Sequence, residues 1–345
     1  MEVFTAFLRL GLTSSGGRAA HLGFFREPVR RGRRGLAALV LLGAAQAQEG
    51  SRTTLRVVGT TPPWVEGTRF MALPPDAAFR ELVTGRADAV LGTLPLPRPP
   101  AGLEVGSVPV GVFPVSVVYA LPGVDLRLDV PTLCQMLAGR VQVWNHARLR
   151  ALNPGAFLPD LPVLVSARVA RNGVSLAVAG ACVKAGAWPR AWLKSNWEAG
   201  ASFTRAALGS QRADLTVPGV LMVLGPRDVP PGAQVALLRS PGGSFVPPRA
   251  ELGASPRLLP SRPFAPLPPV SNVGAYPLRG AVWLSTRREQ GAREVGRAVL
   301  AFAARLQAGA GGGFSGLPNA RPALPLTYRG KPLTPDTEAA SSSSP

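Results

Sequence analysis

The sequence is short of histidine, cysteine, lysine and acid. Among its 345 residues are two His and two Cys, and 19 acidic residues stand against 38 basic ones, of which only Lys184, Lys194 and Lys331 are lysine. Each shortage excludes something. His21 sits in an N-terminal stretch that reads as a leader, which leaves His146 as the one histidine of the mature chain. In "WNHARLR" it stands beside arginines on a helical pattern and reads as a surface residue, not a general base. One His and two separated Cys do not make a zinc set. Neither a G-x-S-x-G elbow nor a P-loop occurs. We therefore expect no metal, no cofactor and no catalysis, which leaves binding. No basic block is interleaved with aromatics, and no zinc-finger spacing or RNA-recognition signature appears, so no nucleic-acid partner is expected. Outside the leader no run of about 18 apolar residues exists to cross a bilayer.

What is present suits a folded protein with real cores. Apolar residues make up 46% and charged ones 17%, a balance unlike that of disordered chains. "RRGRRGLAALVLLGAAQAQEG" (30–50) has the parts of a secretory signal: a basic stretch, a short apolar stretch, and Ala45-Gln46-Ala47 as a cleavage site. We read 1–47 as a signal peptide. No cysteine stands at the cleavage site, so no lipid anchor is expected there, and the mature chain reads as a soluble, extracytoplasmic protein. The leader's seven Arg and two Glu carry +5 of the formal +19, leaving +14 on the mature chain, whose field draws anions. In an oxidising compartment Cys134 and Cys182 could pair, or could remain two buried thiols.

Short β-branched runs alternate with helical patterns, so the fold class is α/β, with mostly parallel sheets and ligand sites at strand C-terminal ends expected. "LRVVGTT" (55–61), "AVLGTLPL" (89–96), "VPVGVFPVSVVYALPG" (108–123) and "SNVGAYPLRGAVWLST" (271–286) read as strands. "DAAFRELVTGRAD" (76–88) and "DVPTLCQMLAGR" (129–140) read as helices, the second capped by Asp129. In "REVGRAVLAFAARLQAG" (293–309), Val295, Val299, Phe302 and Leu306 recur at the spacing of one buried helix face. The following "GGGFSG" matches a dinucleotide-binding glycine pattern but trails a helix instead of a strand, so it reads as a helix stop. "SARVARNGVS" (166–175), between two apolar runs, has the form of a strand feeding a helix N-terminus, where anions bind.

The stretch "LRLDVPTLCQMLAGRVQVWNHARLRALNPGAFLPDLPVLVSAR" (126–168) resembles the periplasmic phosphate-binding proteins of phosphate ABC transporters. "GRADAVLGTLPL" (85–96), "SFVPPRAEL" (244–252) and "GAYPLRGAVWLST" (274–286) fall in that family's order. The resemblance implies a two-lobed periplasmic-binding-protein clamp with two hinge strands. Lobe one would hold 52–114 plus 275–330, lobe two 115–270, with 331–345 as a flexible tail. It also implies that Cys134 and Cys182 share a lobe and form a disulfide.

Carried over residue by residue, the family's anion loop begins at Arg168, the principal charge, with Asn172, Gly173 and the helix start at Ser175 supplying donors. Thr61 and Thr93 would close from the other lobe. The family's phosphate-contacting Asp falls at Thr93, whose hydroxyl can donate to any oxyanion, so poor discrimination between phosphate and sulfate is expected. The implied role is an extracytoplasmic solute-binding protein, a monomer that takes phosphate or a related oxyanion and delivers it to an ABC permease in the inner membrane. The alternative is a degenerate clamp with no transport ligand, acting as an envelope interaction or sensory protein. For export, N-terminal analysis of protein taken from the native envelope should find Gln48 first; a chain that keeps residues 30–47 would refute the leader.

Overall fold

The computed structural model describes residues 54–167, 170–194, 215–249, 267, 272–317 and 324–334. The leader, Arg168 and most of the expected tail lie outside them. The order from the N-terminal side is β1 (Leu55–Gly59), β2 (Thr68–Ala72), α1 (Pro75–Val83), β3 (Ala89–Gly92), β4 (Val105–Pro114) and β5 (Ser116–Tyr119). Next come β6 (Arg127–Leu128), α2 (Val130–Leu137), α3 (Ala147–Leu152), β7 (Leu164–Ser166) and α4 (Gly173–Lys184). They are followed by β8 (Val220–Leu224), β9 (Gln234–Val235), β10 (Leu237–Arg239), β11 (Phe245–Val246) and β12 (Arg279–Arg287). The chain then forms α5 (Arg293–Ala308), β13 (Ala310–Gly311), β14 (Phe314–Gly316), β15 (Thr327–Tyr328) and β16 (Lys331–Pro332).

Two main sheets organise these elements. The larger runs β13-β14-β4-β12-β3-β1-β2, and the second runs β7-β8-β5-β9. Their pairing corrects the expectation of mostly parallel sheets. β1 pairs in parallel with β2 and β3, and β7 with β8, but β12 is antiparallel to both β3 and β4, and β5 is antiparallel to β8 and β9. Helix–strand alternation predicts local crossovers well; it cannot see that a strand from the far end of the chain returns in the opposite sense.

Local signals explain the elements that were readable. Pro75 opens α1 at a position where a missing N–H costs nothing. Asp129 caps α2, its Oδ1 accepting from the Thr132 amide at 2.8 Å. His146 does the same for α3, Nδ1 accepting from the Arg148 amide at 3.2 Å. In α5, Val299, Phe302 and Leu306 are fully buried. The glycines after α5 do more than end it: they form the β13–β14 hairpin on the edge of the large sheet. Lys331–Pro332, where the tail was expected to begin, pair with Thr327–Tyr328.

One residue, Val115, separates β4 in the large sheet from β5 in the small one. Its amide donates to Leu278 O at 2.9 Å, and its carbonyl accepts from the Tyr276 hydroxyl at 2.7 Å. The two passing segments are thus bonded to each other where they cross. A continuous apolar cluster follows them, from Leu55 and Phe302 through Val115 to Trp144.

Cys134 of α2 and Cys182 of α4 form a disulfide, with Cα atoms 5.5 Å apart and 48 residues of separation. Trp188 Nε1 donates to the Cys134 carbonyl at 2.8 Å. Among the described residues no helix is long and apolar enough to cross a membrane. On chain-entropy grounds a cross-link of this span stabilises by about 4 kcal/mol. Denaturant unfolding of oxidised and reduced protein, followed by tryptophan fluorescence, should show an unfolding free energy lower by about that amount in the reduced protein, with a lower midpoint; coincident midpoints would contradict it.

Candidate functional site

The ends of several elements converge on a cleft of about 210 Å³. From the large sheet come Thr60 and Thr61 after β1, Thr93 after β3, Phe113 of β4 and Phe314 of β14. From the other side come Arg171, Asn172, Gly173 and Val174 at the start of α4, and Gly225 to Asp228 after β8. Apart from Phe314, which begins β14, these are strand C-terminal ends and a helix N-terminus, where α/β folds place ligands.

Asp88 fixes one wall. Its carboxylate accepts from the Arg56 backbone amide at 2.8 Å and from the Arg56 guanidinium at 2.8 Å, tying β1 to the turn that enters β3. That register carries Thr61 and Thr93 to the cleft side by side, and the Thr61 amide donates to Leu91 O. Opposite, Gly173 approaches Thr93 so closely that a Cβ on it would lie 2.2 Å from both Cβ and Oγ1 of Thr93. Only glycine fits there.

A second contact crosses beside the first. The Arg227 guanidinium lies 5.3 Å over the Phe314 ring, which also stacks on Trp64 at 5.4 Å and meets Phe113 at 6.1 Å. Pro226 packs on the hairpin turn at Gly313, where φ is +82° and a Cβ would come within 2.4 Å of the proline. Such a cation–π contact contributes about 0.5–2 kcal/mol depending on desolvation.

The structure thus brings Thr61, Thr93, Asn172 and Gly173 together. Ser175 is 2% exposed and does not line the cleft; it is the third residue of α4, not the first. The Asn172 side chain is engaged locally. Its Oδ1 accepts from the Ser175 amide at 2.7 Å and its Nδ2 donates to Ala170 O at 2.9 Å, so it caps the helix. The cap leaves the first-turn amides of Gly173 and Val174 without intrahelical acceptors, at the positive end of the helix dipole. Arg168 lies outside the described residues.

Sequence reading missed Arg171, Arg227 and Asp228 as lining residues. The signal for the last two was "VLMVLGPRD": an apolar strand ending in a turn that carries both signs of charge. Among the described residues no group of three or more His, Cys, Asp or Glu could hold a metal ion.

No family model matches the chain. Over 75 residues, 21% of the chain, it is 35% identical to the phosphate-binding protein PstS2 of Mycobacterium bovis and to the phosphate-binding protein PstS 2 of Mycobacterium tuberculosis. The matching stretch spans 20% of the length of either mycobacterial protein. Among solved structures the chain is similar to a high-affinity periplasmic phosphate-binding protein determined with phosphate bound. The TM-score is 0.56 at 15% identity, covering 77% of this chain and 91% of that one. It is also similar to the phosphate-binding protein from Stenotrophomonas maltophilia, with TM-score 0.52 and 15% identity over 77% of this chain and 87% of the other. The fold is the two-lobed clamp of these proteins. The chain is thus similar to phosphate-binding proteins in sequence over this short stretch, and in fold over most of its length.

Replacing a capping Asn by Ala typically costs about 1 kcal/mol, whereas Asp caps as well as Asn. Asn172→Ala should therefore lower stability by about that amount and Asn172→Asp should not, as thermal unfolding without ligand would measure. Equal stability of all three proteins would deny the capping role.

Proposed function

We propose that the protein is an extracytoplasmic solute-binding protein of a phosphate-type ABC uptake system, which closes its two lobes on phosphate or a related oxyanion. The observation that carries this reading is the meeting of the α4 N-terminus with Thr61 and Thr93 across a small cleft that also bears Arg171 and Arg227. The amides of Gly173 and Val174 point positive charge at the cleft. The hydroxyls of Thr61 and Thr93 are donors from the opposite wall. Arg168, on the chain between β7 and this helix, would supply a guanidinium fork. The printed names of the relatives support phosphate as the ligand class.

Lobe one would comprise 52–114 plus 275–330 and lobe two 115–270; the strands of the large sheet fall within the first and those of the β7-β8-β5-β9 sheet within the second, while β16 pairs with β15 across the 330 limit. A monomer exported by its leader would pass the anion to a permease in the inner membrane. Binding without bond-making is the chemistry this cleft offers.

Asp228 bears on selectivity. Thr93 offers a donor to any oxyanion, but the wall also includes a carboxylate. A carboxylate in a cleft accepts the proton of hydrogen phosphate and repels the fully ionised sulfate. Asp228 is thus the group that would restore the discrimination expected to be lost at Thr93.

Titration calorimetry with phosphate and sulfate tests these roles. A hydrogen bond to a charged group contributes about 1.5–3 kcal/mol, so Arg168→Ala should weaken phosphate binding roughly 10- to 150-fold. Asp228→Asn should bring phosphate and sulfate affinities together, and Thr93→Asp should shift preference further towards phosphate at mildly acidic pH. Wild-type protein that binds neither anion at millimolar concentration would end the transport reading and leave a degenerate clamp.

A further inference from the structure

The cleft is larger than inorganic phosphate. Its walls already touch at Gly173 and Thr93, and about 210 Å³ remains between them. At about 30 Å³ per water that is room for about seven waters. Inorganic phosphate, four oxygens around a phosphorus they enclose, takes the place of about four. Room for about three water-sized groups is left over.

Donors and apolar groups sit on different parts of the wall. The donors gather where Gly173 meets Thr93. Thr61 beside them lines the cleft at 4% exposure, and its hydroxyl makes no hydrogen bond with any described residue. A buried hydroxyl without a partner costs free energy until a ligand meets it. The Val174 side chain faces the loop after β8 instead. A Cβ on Gly225 would lie 3.5 Å from Val174 Cγ2 and 3.5 Å from Asp228 Oδ2. Pro226 on this loop and Pro62 on the large-sheet side also line the cleft, both half-buried and neither with an N–H to give. An ionised oxygen directed at this part of the cleft meets a carboxylate and apolar carbon. Waters left there have few partners, and an apolar group that displaces them gains affinity.

We infer that the anion taken by the cleft is a phosphoryl group carrying one apolar substituent of about three carbons, which lies against Pro62, Val174 and Pro226. An alkylphosphonate has this chemistry: three oxygens for the donors around Gly173 and one carbon arm for the apolar side. Its singly ionised form keeps one P–OH to donate to Asp228. The inference rests on the oxyanion reading of the cleft and narrows its ligand class.

Titration calorimetry of the full chain with inorganic phosphate, methylphosphonate and propylphosphonate tests this. Each buried methylene multiplies affinity by about four, so propylphosphonate should bind about tenfold or more tighter than methylphosphonate. Saturating phosphate should displace propylphosphonate, as two ligands of one cleft require. Gly225→Ala adds a methyl beside Val174 with no contact under 3.5 Å, and should shrink the propyl-to-methyl ratio by about fourfold. The inference is overturned, with the oxyanion reading intact, if phosphate binds and propylphosphonate binds no tighter than methylphosphonate. Propylphosphonate that phosphate does not displace, or a ratio that Gly225→Ala leaves unchanged, overturns it equally. If none of the three anions binds at millimolar concentration, the oxyanion reading itself falls and takes the inference with it.

Discussion

Everything described here depends on the pairing of β4 with β12. The register runs from Arg279 opposite Pro114 to Arg287 opposite Val105, with one irregularity at Val282/Trp283. This antiparallel ladder is the spine of the large sheet, and it reaches the crossing point at Val115. There Val115 alone separates the two sheets along the chain, its amide bonded to Leu278 and its carbonyl to Tyr276. Any relative motion of the lobes must be absorbed at such a point, because the sheets themselves are close-packed and cannot bend continuously.

The cleft is bounded by two contacts of different kinds. Gly173 on Thr93 is steric: it sets how near the walls can come, because the glycine already has no side chain to give up. Arg227 on Phe314 is electrostatic and adjustable, a flexible cation on a ring already braced by Trp64 and Phe113. The first fixes the width of the site, while the second adds attraction across it without demanding a single geometry.

Much of this was legible in the sequence where the signal was local. Asp129 as a cap, the buried face of α5 and the strand at 55–59 follow from neighbours a few residues apart. The anion loop was legible as a strand, a turn and a helix start, although the capping of α4 by the Asn172 side chain was not. β2 gave no signal because "TRFMA" is half-exposed along its length and lies at the sheet edge. The sense of β12, the contact of Pro226 with Gly313 and the burial of Arg279 are all products of segments far apart in sequence. "PLRGAVW" reads as an ordinary strand with one arginine, and nothing in it shows that the guanidinium ends up buried.

The discontinuous large sheet also shapes how the chain must fold. Thr286 on β12 bonds to Asp88 across 198 residues, and β12 lies between β3 and β4, which are made long before it. Until β12 arrives, β3 and β4 each present an unpaired backbone edge, and such edges invite association with other chains. Folding that waits for contacts of this sequence separation is slow. The small sheet, whose strands β5, β7, β8 and β9 are closer in sequence, has a shorter wait, with Ser116 pairing Leu224. Its earlier formation would position Val115 and leave a prepared slot for β12 to enter, so that a strand made long after β3 and β4 is the one that joins them.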